Sequence, residues 1–204
     1  MVEDERRDND EQRKSRYRDI VTGVFGLVLA LGAFSITTTD FSSREDVWTA
    51  LAIFSPAFFF LIAIWQITSE LVDRYPANDR LFYTLVTFVL FLTALSPAFL
   101  NLLLAEDPDV HRLSATLFPI SMAGIFAILS ILWLRLAALT RRKGGTPEPD
   151  IRDGMIAAAV LAALFLASLL LPYDAKGWSP RTVSWFAAFI LPNVLVQLMG
   201  RARG

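Results

Sequence analysis

Side chains able to carry covalent or metal chemistry are scarce in this 204-residue chain, which has no cysteine and one histidine, His111. That excludes disulfides, thiolate metal sites and cysteine nucleophiles, and a lone imidazole cannot build a histidine-rich metal site. His111 lies among acids in "AEDPDVHR" and is expected to be a solvated loop residue. No Ser-His-Asp set, metal-ligand cluster or glycine-rich phosphate loop is visible, so no enzyme activity, cofactor or resident metal is expected.

What is patterned instead is an apolar stretch, "RYRDIVTGVFGLVLALGAFSITTTD", from Arg16 to Asp40. At about 100° per residue on a helix, Leu27, Leu31 and Phe34 follow i, i+4, i+7 spacing and make a bulky apolar row. Beside it, Gly23, Gly26, Ala30 and Ala33 make a seam of small residues suited to close helix packing. The physical chemistry open to such a helix is packing on both stripes, or the closing of a symmetric pore by a ring of apolar side chains that expels water.

The elements that would hold this helix are membrane spans. Hydrophobic residues make up 54% of the chain, with 16 Phe, 5 Trp and a mean hydropathy of +0.48, and they come in blocks. A helix needs about 20 apolar residues to cross about 30 Å of hydrocarbon. Six windows qualify: 20–39, 47–69, 81–105, 113–134, 154–173 and 182–200, the last holding Pro192 and Asn193. The short connections suit an antiparallel helical bundle, and strand patterns of barrel type are absent. The turn Tyr75–Pro76 is expected to close a helical hairpin between the second and third spans. The fold class is therefore an all-α, six-transmembrane-helix bundle over residues 19–204, preceded by a charged tail over residues 1–18 too acidic for a signal-peptide start.

Of the 19 Lys and Arg residues, 15 fall in the tail, the even-numbered connections and the C-terminus, and 4 on the opposite side. The positive-inside rule then places both termini in the cytoplasm, in a multi-pass protein of the cell membrane. A net charge of −1 argues against a nucleic-acid partner. The span interiors lack Asp, Glu, Lys, Arg and His, which most transporters need at membrane depth. Their polar groups, among them Thr22, Ser55, Gln66, Thr84, Thr87, Thr93, Ser96 and Asn193, read singly as groups bonding back to their own helix.

The order of these segments resembles the six-helix potassium channels of the transmembrane-protein-175 family. Arg16 is followed by Ile20-Val21-Thr22 where that family carries Phe-Ser-Asp, and then by its Gly-Val-Phe as Gly23-Val24-Phe25. "FFFLIAIW" ends at Trp65, the family's tryptophan, with Thr68 and Ser69 in place of the histidines that follow it there. The segment opening at Asp79 and holding Pro97 is similar to the family's third helix with its late proline. The likeness runs from Arg16 to Leu104. It implies a homo-oligomer, a tetramer, in which four first helices surround one pore, with Leu27, Leu31 and Phe34 at the constriction and potassium as the permeant ion. It also implies a polar network tying the first helix to its neighbours, here reduced to Arg16, Asp19, Thr22 and Trp65. The replaced signature leaves a second expectation open, a non-conducting scaffold or regulatory subunit that keeps the channel fold. A small-solute transporter working through the Pro192–Asn193 break is a third.

Overall fold

Five α-helices follow one another among the described residues: α1 (Val2–Thr37), α2 (Arg44–Arg74), α3 (Arg80–Leu102), α4 (Pro108–Arg142) and α5 (Pro149–Ser168). The structure, a computed structural model, describes residues 2–37, 44–103, 107–173, 179–181, 183–185 and 187–188. The described residues of 180–188 are helical too, but most of the expected sixth span, Pro192 and Asn193 included, lies outside the described residues. Four helices are long and apolar enough to cross a membrane: α1 over Asp8–Phe34, α3, α4 and α5. α2 carries an uncharged run from Val47 to Ser69. The architecture is all-helical among the described residues and consistent with a multi-pass membrane protein.

The helix ends follow from local chemistry. Asp79 caps α3 by accepting the Phe82 N–H at 3.0 Å. Asp107 caps α4 by accepting from the N–H groups of Asp109 and Val110, and Pro108 occupies the first turn, where its missing N–H is harmless. α4 closes on Gly144, whose φ of 78° is the left-handed conformation that lets Gly145 N–H reach the Thr140 carbonyl at 3.1 Å. Two boundaries differ from the sequence expectation. Residue 18 is no break, because no Gly or Pro interrupts the chain before Gly23 and the charged tail continues as one helix into the apolar segment. α5 starts at Pro149 and ends at Ser168 rather than Tyr173, since Leu169, Leu170 and Leu171 tighten into turns bonded three residues back, ahead of Pro172.

The turn at Tyr75–Asn78 does join α2 to α3, but the two helices touch only lightly. The hairpin expectation is corrected here: α1 packs against both of them. The closest partnership is between α4 and α5, followed by α3 with α4. It is built on a tight approach, because a Cβ added to Gly154 would lie 2.7 Å from Trp133 Cε2. Gly154→Val is therefore expected to destabilise the detergent-solubilised protein by about 1–3 kcal/mol, the usual cost of overpacking. An unchanged melting temperature would show that α4 and α5 do not meet at Trp133. Deeper in the same interface Phe165 stacks on Phe126 at 6.0 Å and meets Phe60 edge-on at 5.0 Å.

Arg181 ties the next segment to this pair. Pro119 has no N–H, so the carbonyl of Ala115, one turn back in α4, loses its helical partner. Arg181 Nη1 donates to that oxygen at 3.2 Å, and its other nitrogens donate to the last carbonyls of the α5 end, Leu169 at 3.0 Å and Leu171 at 2.8 Å. Trp185, which follows one turn later, is buried and donates to Ser168 Oγ at 3.3 Å.

Candidate functional site

α1 presents two unlike faces. Val21, Phe25 and Val28, at i, i+4, i+7, are buried in the hydrophobic core. Nearer the start of the apolar stretch Tyr17 packs its ring edge-on against Tyr83 at 4.5 Å, and its hydroxyl lies 3.1 Å from the Tyr83 carbonyl and 3.2 Å from Thr87 Oγ1. On the other side of the helix Leu27, Leu31 and Phe34 are 61%, 46% and 64% exposed. Gly23, Gly26, Ala30 and Ala33 are exposed as well, and a Cβ added at Gly23 or Gly26 would meet nothing within 4 Å. Among the described residues, then, the small-residue seam packs against no other helix. The packing row is Val21–Phe25–Val28, a pattern with the same spacing as the leucine row and equally visible in the sequence.

The residues of the reduced signature do not come together. Arg16, Asp19 and Thr22 are exposed on α1, Trp65 is 37% exposed on α2, and no hydrogen bond or ion pair joins any two of them. The contacts that hold the charged part of α1 use its other basic residues. Arg18 forms an ion pair with Asp73, Lys14 donates to the Asp73 carbonyl at 3.0 Å, and Arg13 donates to Asn78 Oδ1 at 3.0 Å. The charge count had put the tail and the "VDRYPANDR" turn on one side of the membrane, and that was the signal from which these pairings were legible. Thr68 and Ser69 bury hydroxyls that have no hydrogen-bond partner among the described residues.

The same end of the bundle holds two further polar clusters. Asp79 Oδ2 pairs with Arg135 at 3.0 Å. Tyr75 lies beneath them, stacked on Phe82 at 4.1 Å and donating its hydroxyl to the Leu132 carbonyl. Burial pushes its phenol well above the ordinary tyrosine value, against the opposing pull of Arg135 and with the help of Asp79. Arg74 bridges Glu70 at 2.7 Å and Glu148 at 3.0 Å and lies over the Trp133 ring, 5.7 Å from its centroid. These are positioning contacts between helix ends.

Among the described residues, no group of three His, Asp or Glu side chains could hold a metal ion. His111 is a correction to the sequence reading. Because Asp107 and Pro108 start α4 early, His111 is its fourth residue, buried, with its ring 5.0 Å from that of Tyr173. The span hydroxyls divide. Thr84, Thr87 and Ser96 donate to the carbonyls four residues back, whereas Thr93 is buried with no partner among the described residues. Among the described residues, the outward apolar face of α1 is one extended feature able to act beyond the single chain. Compared with protein-family models, with curated proteins and with solved structures, the chain finds no match.

Proposed function

We propose that the chain is one subunit of a homo-oligomeric, tetrameric cation channel of the cell membrane, with six spans, both termini cytoplasmic and potassium as the permeant ion. In this reading α1 of each copy surrounds a central pore, and Leu27, Leu31 and Phe34 form its apolar constriction. The observation that carries it is the division of α1 among the described residues: its Val21–Phe25–Val28 face is buried, while the ridge residues Leu27, Leu31 and Phe34 are 61%, 46% and 64% exposed. The small-residue seam beside the ridge gives neighbouring copies a surface for close backbone approach. The resemblance of the first three helices to the transmembrane-protein-175 channels supports the same assignment.

The chain lacks cysteine, so cross-linking tests it cleanly. Leu31→Cys and Phe34→Cys proteins, oxidised in membranes, are expected to form disulfide-linked oligomers, whereas Phe25→Cys is not. In liposomes the wild-type protein should pass potassium, and Leu27→Ala with Leu31→Ala should raise the flux on the order of tenfold, equivalent to about 1.4 kcal/mol off the barrier. No flux from wild type or variant, together with no cross-link at positions 31 and 34, would sink the channel reading. Cross-links without flux would instead support a non-conducting subunit of the same architecture. That second reading is favoured by the scattered placement of Arg16, Asp19, Thr22 and Trp65.

A further inference from the structure

A groove opens where the C-terminal end of α4 meets the start of α5, and Arg141 and Arg152 line it together. Its walls towards the middle of the helices are apolar, with Leu134 and Ala138 on α4 and Met155 on α5. Ile131, Leu134, Ala138 and Arg141 fall at i, i+3, i+7, i+10 and are all exposed, so a greasy strip on α4 ends at a guanidinium. Glu148 lines the groove as well, but its carboxylate is turned to Arg74 at 3.0 Å, and Asp150 lies 3.9 Å from the same guanidinium. Arg141 and Arg152 form no ion pair with any described residue, so the groove offers two guanidiniums with free donors above an apolar floor.

A phosphodiester flanked by two guanidiniums, with a hydrocarbon tail lying along the strip below, meets every one of these features. Guanidinium forks match phosphate oxygens in geometry as well as charge, and basic pockets between membrane helices are the places where anionic headgroups lodge. We infer that this groove binds the headgroup of an anionic phospholipid of the surrounding bilayer, with Arg141 and Arg152 on the phosphate and one acyl chain along Leu134 and Ile131. The inference rests on the helices lying in a bilayer and not on ion conduction, so a silent flux assay leaves it standing.

The test uses the full-length purified protein and counts retained lipid by native mass spectrometry, with phosphatidylglycerol and phosphatidylcholine of matched chains as probes. Wild type should retain phosphatidylglycerol preferentially. R141Q/R152Q should hold it about 30-fold more weakly, the effect expected of two headgroup arginines, and R141K/R152K should recover most of the loss. R142Q/K143Q removes the same charge next to the groove and should change retention less than about threefold. Soluble glycerophosphate should fail to compete. Equal losses in the two glutamine variants would reduce the effect to general surface charge and overturn the site. Equal retention of both lipids, or full retention by R141Q/R152Q, would overturn it as well. Competition by glycerophosphate would assign the groove to a free phosphate instead of a lipid.

Discussion

Asp79→Ala is expected to lower the stability of the solubilised protein by about 2–4 kcal/mol, from a lost cap of about 1 kcal/mol and a part-buried arginine left without its partner at about 1–3 kcal/mol. The aspartate does two jobs with two oxygens: Oδ1 takes the Phe82 N–H at the start of α3, and Oδ2 pairs with Arg135 of α4. Its side chain is only 8% exposed, so water cannot take its place. The arginine it leaves behind already has a buried Nη1 with no hydrogen-bond partner, and truncation would strand the rest of the group. Asp79→Asn keeps an oxygen for the cap and loses the charge, so its cost should fall between wild type and alanine, with the cap itself contributing about 1 kcal/mol. Denaturant titration in micelles separates the three proteins. Equal tolerance of Asn and Ala would mean that α3 and α4 are not joined through this pair.

Arg181→Ala should cost about 3–4 kcal/mol, because it deprives the carbonyls of Ala115, Leu169 and Leu171 of a donor at once, each worth about 1–3 kcal/mol where it is buried and less where water can reach it. Arg181→Lys should rescue only part of this, since an ammonium is a point donor and cannot reach carbonyls on two helices as the planar fork does. A double-mutant cycle makes the claim sharper. Pro119→Ala gives the Ala115 carbonyl back its own helical N–H, so Arg181→Ala should cost less in that background. Strict additivity of the two substitutions would show that Arg181 does not serve the oxygen freed by the proline.

Apolar runs were enough to announce an all-helical chain with several helices long and apolar enough to cross a membrane, because that length and hydropathy need no knowledge of neighbours. Neighbourhood was harder to read. Tyr75–Pro76 suggested that α2 and α3 lie side by side, yet a turn fixes only where two helices begin to diverge, and the Val21–Phe25–Val28 row brought α1 against both. His111 was misread for a related reason: proximity to acids says nothing about which way a residue faces once Asp107 has started a helix under it. The ridge at Leu27, Leu31 and Phe34 was legible from spacing alone. Its outward direction was not, since the same helix offers a second apolar row with the same spacing and only packing chooses between them. Arg181 was equally hidden, because its acceptors come from segments far apart in sequence.

The uninterrupted course of α1 has a mechanical corollary. Arg13, Lys14 and Arg18 grip the end of α2 and the turn after it, and Phe34 sits about 24–32 Å further along the same rod at 1.5 Å per residue. With no proline hinge between them, a twist imposed where the rod is gripped arrives at Phe34 as a twist of similar size. The grip is made of exposed, salt-screened contacts, so it is the soft joint of the assembly and the rod is the stiff one. A rotation of the gripped end is thereby carried along the rod towards the bulky apolar side chains at the other.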